Sequence, residues 1–309
     1  MRKEKILPYM AGIIVAVFFG VSFLMTQKGL AKMPPMVLIS YRFTVAAIIL
    51  TILKCLRLVQ IDYKGKPVGG VILLSVFYPG IAFFFETIGL TYVSSSQAGI
   101  LVSIMPIFVT IFGVLILKER PAKIQIMFIV VSVIGVLVTI IFAKSQGNQG
   151  TFFGILLMLI SVVGGSLNNV LSRKYSKYFT PVEITYMMLW IGAVIFNVIA
   201  VIQGIGKPEV LAAYCVPFQS MEMMLVVLEL SIGTSVVAFF CMNYMLANLK
   251  AANASVFFNL ATVISIIAGV MIMREQFYWY QIIGGVCIIV SVWGTNYYEN
   301  REIEVKEES

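Results

Sequence analysis

The chain has 309 residues, 60% of them hydrophobic and only 12% charged, whereas a soluble domain averages roughly 45–50% apolar and about 25% charged. This composition excludes an ordinary soluble domain and predicts an integral membrane protein. The net charge of +8 does not point to nucleic acid, because the basic residues sit in short clusters between apolar runs, where they orient membrane spans.

The first apolar run, Tyr9–Leu30, follows the basic start MRKEK with no small-x-small cleavage site, so it reads as an uncleaved span. Runs of about 20 residues, enough to cross ~30 Å of hydrocarbon, follow at Pro34–Leu56, Val68–Thr91, Ser95–Leu117 and Ala122–Ala143. Five more lie at Thr151–Leu171, Pro181–Gly204, Glu222–Ala247, Ala251–Met273 and Tyr278–Tyr297. Pro34, Pro35 and Pro181 fall in first helical turns, where a missing N–H costs little. The prediction is an all-α membrane protein of ten transmembrane helices.

With the N-terminus placed inside, sixteen Lys and Arg residues fall on the cytoplasmic side and five on the other, and Arg42 lies within a span. The excess predicts a multi-pass cell-membrane protein with both termini cytoplasmic. The acidic tail, residues 299–309, reads as a solvated end.

The chain repeats itself. At an offset of about 156 residues Ala98 meets Ala254, Gly113 meets Gly269, Glu119 meets Glu275 and Gln125 meets Gln281. Residues 1–145 and 146–298 thus read as two five-helix repeats, and an odd number of spans inverts the second in the membrane. Glu119 is then expected at the cytoplasmic surface and Glu275 at the outer one. Inverted repeats suit a carrier, because related halves can exchange inward-open and outward-open forms around a site at their interface.

The stretches GVSF in the first span, SYRF in the second, SSSQAGILVSIMPIF…LKERP across the fourth and AANASVFFNLATV…MREQF across the ninth carry a resemblance. From about Ala11 to Gly294 the chain resembles the EamA family of the drug/metabolite transporter superfamily. The resemblance implies a small-molecule carrier, often an exporter of amino acids or related metabolites. It also implies a path lined by the first, third, fourth, sixth, eighth and ninth spans. One departure stands out. Pro106 in the fourth span is matched by Thr262 in the ninth, so a break expected in one repeat is expected to be weaker in the other.

Three ionisable residues remain inside spans: Arg42, Glu86 and Glu229. At ~1.5 Å per residue they lie ~12, ~8 and ~10 Å from the outer helix ends, a common depth that makes mutual contact plausible. Burying a charge at helix centre costs roughly 2.5–3.5 kcal/mol, so such groups face a cavity or each other. Arg42 is expected to pair with one carboxylate, leaving the other for a proton or a substrate amine. The bland alternative is a purely structural ion pair. Ser22, Gln27, Ser103, Asn168, Asn169, Asn243 and Asn259 add neutral polarity to the implied path, and Tyr78 could shape it. Each could equally be an interhelical hydrogen bond worth ~0.6 kcal/mol.

The expected activity is secondary transport of a small-molecule substrate through the lipid bilayer, with protons as a candidate coupling ion and a monomer or homodimer as the unit. No cofactor and no metal is expected: the chain has no histidine, its four cysteines have no paired spacing, and no phosphate-binding glycine loop occurs. A receptor or scaffold without transport, and an intramembrane enzyme, are the competing readings. The second lacks a nucleophile–base constellation.

Overall fold

The computed structural model describes residues 2–117, 123–145, 149–249, 251–275, 278–280, 282–287, 289–291 and 294. Glu119, Gln281 and the acidic tail lie outside these residues, as does the side chain of Asn259. The described residues are all-helical with no strand.

Seven stretches among them are long and apolar enough to cross a membrane: Ile6–Leu30, Pro35–Cys55, Val68–Gly89, Ser95–Ile116, Phe152–Tyr175, Pro181–Gly204 and Met221–Asn248. They coincide with the first four predicted spans and with the sixth to eighth. The predicted fifth span falls on helix Lys123–Ser145, the ninth on Ala251–Ile272, and the tenth overlaps the shorter apolar helix Ile282–Ser291.

Helices α1 (Arg2–Leu30) and α2 (Pro35–Cys55) are continuous, and Pro35 occupies the first turn of α2. The third span is α3 (Val68–Ser75), a π-type segment Val76–Ile81, and α4 (Ala82–Gly89). Pro79 lies in that segment beside Tyr78, whose φ of −144° and ψ of 113° are not helical. Proline cannot donate to the ladder and its ring crowds the preceding turn, so the helix loosens there. The fourth span divides into α5 (Ser95–Val102) and α6 (Met105–Leu117), with Pro106 in the first turn of α6. Ser94 and Gln97 cap α5 reciprocally, which satisfies two otherwise orphaned N–H groups.

Next come α7 (Lys123–Ser145), α8 (Gln149–Tyr175) and α9 (Pro181–Gly204), the last opened by a Thr180–Glu183 capping box. Two short helices, α10 (Pro208–Ala212) and α11 (Val216–Gln219), lead to the eighth span. That span is α12 (Met221–Leu228), a second π-type segment Glu229–Ala238, and α13 (Phe239–Asn248). Helix α14 (Ala251–Ile272) runs unbroken through Thr262, so the interruption at Pro106 has no counterpart there.

Packing follows a reciprocal pattern. Helix α1 lies along α14, while α8 lies along α5 and α6; α2 packs on α9; α4 packs on α8, while α13 packs on α1. The core between them is aromatic: Phe43 stacks on Phe196 and meets Phe83 edge-on, with Phe239 and Tyr78 alongside. Outward, α7 exposes Ile126, Val130, Ile134, Leu137 and Ile141 at helical spacing, a stripe suited to lipid.

Three polar clamps tie the ends. Before α3, the Lys66 ammonium reaches Glu183 at 2.6 Å and the Tyr63 hydroxyl donates to the Glu183 carbonyl at 2.7 Å. After α9, Tyr214 sits over α2, its hydroxyl 3.0 Å from Ser40 Oγ. Beyond α14, the Glu275 carboxylate closes on the start of α5, accepting the Ser95 N–H at 2.8 Å, the Ser96 N–H at 2.9 Å and both serine hydroxyls. Gly269 permits that approach, because a Cβ there would collide with Ser96 Oγ and Glu275 Oε2.

Candidate functional site

A cavity of about 630 Å³, mouth included, lies among α1, α2, the third, fourth and sixth spans, α13 and α14. These are the spans that the resemblance implied, with α2 added through Arg42. Its wall is mostly apolar, with Phe19, Phe23, Phe83, Met105, Met242 and Phe258 contributing. Of the predicted site residues, Ser22, Arg42, Tyr78, Glu86, Asn168 and Asn169 line it.

Arg42 is only 2% exposed. Its Nε donates to Ser235 Oγ at 2.8 Å, and its guanidinium carbon lies 4.3 Å from the Phe83 ring centroid. The expected ion pair is not formed. Among the described residues the ion pairs are Lys32–Glu222 and Lys66–Glu183. Arg42 and Glu86 both line the cavity, whereas Glu229 does not. The reason for the missing pair is local. In the second π-type segment Ser235 donates five residues back to the Leu230 carbonyl at 2.8 Å, and Thr234 donates to Glu229 Oε1 at 2.8 Å. The wide turn presents a serine to Arg42 and folds Glu229 onto its own segment, away from the cavity wall. Glu229 Oε2 is buried without a hydrogen bond. Glu86 faces the cavity beside Ser161.

The other predicted residues divide. Gln27 donates to the Val93 carbonyl at 2.7 Å, tying α1 to the turn before α5. Ser103 donates to the Ile100 carbonyl at 2.6 Å, and Asn243 braces Ser172 at 2.8 Å and Thr185 at 3.0 Å. None of these three lines the cavity. Asn259 lies in α14, its side chain outside what the structure describes. Pro106 marks the division of the fourth span, and Glu275 caps α5. Sequence reasoning passed over Ser161, Gly165 and Thr262 as wall residues. Their signal was faint: Ser161, Gly165 and Asn168 share one face of α8 at i, i+4, i+7 spacing.

Outside the spans, Glu275 has a perturbed carboxyl. Burial alone would raise its pKa, but the hydrogen bonds from Ser95 and Ser96 outweigh it and hold the group below the usual carboxylate range.

The profile of the EamA-like transporter family matches residues 6–141 and again residues 152–297. An uncharacterized transporter of Bacillus subtilis (strain 168), YcxC, is 34% identical over 96% of this chain and 95% of its own length. An uncharacterized transporter of Archaeoglobus fulgidus is 21% identical, over 91% of this chain and 95% of its own. A solved crystal structure superposes with a TM-score of 0.66 at 16% identity, covering 95% of this chain and 98% of that one. That last likeness concerns the fold alone.

Proposed function

Because the chain belongs to the EamA-like transporter family, we propose that it exports amino acids or related small metabolites across the cell membrane by alternating access. Its frame is ten transmembrane helices in two inverted five-helix repeats, with both termini in the cytoplasm. The double match of the family profile and the reciprocal packing of α1 on α14 and α8 on α5 and α6 support this frame.

One observation carries the reading: an apolar-walled cavity between the halves that holds the Arg42 guanidinium, the Glu86 carboxyl and neutral polar groups at Ser22 and Asn168. Small-molecule sites combine apolar walls with a few convergent polar groups in this way, and intramembrane charges usually mark a substrate or ion path. Arg42 suits a carboxylate, since among the described residues only its Nε is hydrogen-bonded. Glu86 suits an ammonium group or a proton. A monomer contains the whole cavity.

Purified protein in liposomes preloaded with a mixture of amino acids tests the reading. Efflux above that of empty liposomes, abolished by Arg42→Ala, is expected. No efflux of any amino acid would overturn the cargo assignment. Retention of every solute tested would remove transport itself.

A further inference from the structure

Asn168 is 1% exposed and lines the cavity, yet neither its Oδ1 nor its Nδ2 has a hydrogen-bond partner. Two other asparagines in the spans, Asn243 and Asn197, find partners within the protein. Asn243 uses both amide atoms within the protein, and Asn197 donates to Thr44 at 2.6 Å and to the Ala193 carbonyl at 2.8 Å. A buried amide left unpaired destabilises the fold by its full desolvation penalty, so an apolar residue would serve packing better here. Unsatisfied on both atoms, the group is complementary to a ligand that offers a donor and an acceptor side by side.

Its position narrows the ligand. Asn168 lies seven residues along α8 from Ser161, the neighbour of Glu86, which is about 10 Å of helix. The Glu86 end of the cavity and the amide are therefore separate stations. An ammonium group held at Glu86 leaves Asn168 open to a short side chain reaching along the same face of α8. The wall between the stations includes Val162 and Met105, which suits a methylene spacer.

We propose that Asn168 is a specificity residue for amino acids whose side chain ends in a carboxamide or ureido group, which pairs with it through two reciprocal hydrogen bonds. The inference rests on the amino-acid reading of the cavity given above.

The test uses the full-length protein and three amino acids of similar length: L-glutamine, L-glutamate and L-norleucine. The wild type should be stabilised thermally by glutamine and should carry it at least about tenfold better than norleucine, as expected when a hydrogen-bonding site meets an analogue lacking its partners. Asn168→Leu should reverse that preference. Without any amino acid it should also melt about 2 °C or more above the wild type, because the orphaned amide is gone. Asn168→Ala, which adds no bulk, should lose the glutamine preference too and serves if the leucine variant does not fold. A wild type that favours norleucine, or variants that keep the glutamine preference, would each overturn the role of Asn168 while leaving amino-acid transport intact. A wild type that binds and moves none of the three would overturn the amino-acid reading and this inference with it.

Discussion

Glu275 and Ser95 lie 180 residues apart in sequence and meet through two hydrogen bonds, the Ser95 N–H at 2.8 Å and its hydroxyl at 2.7 Å, both accepted by Glu275 Oε1. The carboxylate thus sits at the positive end of α5, where backbone N–H groups lack helical partners and negative charge is favoured. Replacing Ser95 and Ser96 together by Ala should leave the backbone donors and cost about 1 kcal/mol per hydroxyl, read by thermal melting in detergent.

The same carboxylate gives a pH signature. Its pKa is depressed in the folded protein, so its stabilisation is complete above the unfolded value and is lost as the pH falls through the folded one. The melting temperature of the wild type should therefore decline below about pH 4.5. Glu275→Gln should start lower at neutral pH and show a shallower decline. Equal slopes in the two proteins would mean that Glu275 contributes nothing to the acid limb.

Arg274 holds a φ of 53°, in the left-handed region, immediately before Glu275. The Glu275 N–H closes the end of α14 on the Gly269 carbonyl at 3.2 Å. A non-glycine residue in that region carries a steric penalty of roughly 1–2 kcal/mol. Arg274→Gly should relieve part of it and raise stability by about 1 kcal/mol, since the greater freedom of glycine in the unfolded chain offsets the rest. A lowered melting temperature would instead assign the Arg274 side chain a contact of its own.

Arg42 lacks a carboxylate partner within ion-pair distance, which changes what its loss should do. Arg42→Ala strands no paired anion. It removes a hydrogen bond to Ser235 and the contact with Phe83, together worth about 2 kcal/mol. Arg42→Lys should not restore the Ser235 bond, because lysine has no donor at the Nε position. Transport should fall further than stability in both. Glu86→Gln should alter transport or its dependence on pH, whereas Glu229→Gln, off the cavity wall, should act mainly on the fold. Normal transport by Glu86→Gln across pH 5–8 would make Glu86 structural.

Orientation is tested by labelling. On a background lacking the native cysteines, of which Cys55 and Cys215 are exposed, Lys207→Cys should react with an impermeant reagent on intact cells and Lys177→Cys should not. Equal labelling would overturn the cytoplasmic placement of both termini.

What the sequence made legible was where along the chain the long apolar helices run. Apolar run length located the first four spans and the sixth to eighth, and Pro106 announced the division of the fourth. Rotation about each helix axis was not legible. One residue of error in a helix turns a side chain by about 100°, and the π-type segments introduce such a shift without an obvious marker in the second case, where Glu229–Ala238 contains no proline. Hence Ser235 rather than a glutamate meets Arg42. Asn243 and Gln27 looked like path residues for the same reason. A polar side chain in a span announces a partner, and only the packed structure says whether that partner is a neighbouring helix or a cargo.

The divided fourth span has a mechanical consequence. Its first half, α5, is fastened to α14: Thr262 donates to the Gly99 carbonyl at 3.0 Å, Ser265 to the Ser95 carbonyl at 2.9 Å, and Glu275 grips the end. Its second half, α6, packs mainly along α8, which α5 also touches. Short-range bonds join the halves around Ser103 and Ile104, so the span is a jointed lever whose first arm is held chiefly by α14 and whose second lies chiefly on α8, while α14 is a single rod. Val102 and Met105 stand on either side of the joint and both face the cavity. A displacement of α14 relative to α8 would bend the span at that joint, beside the chamber wall.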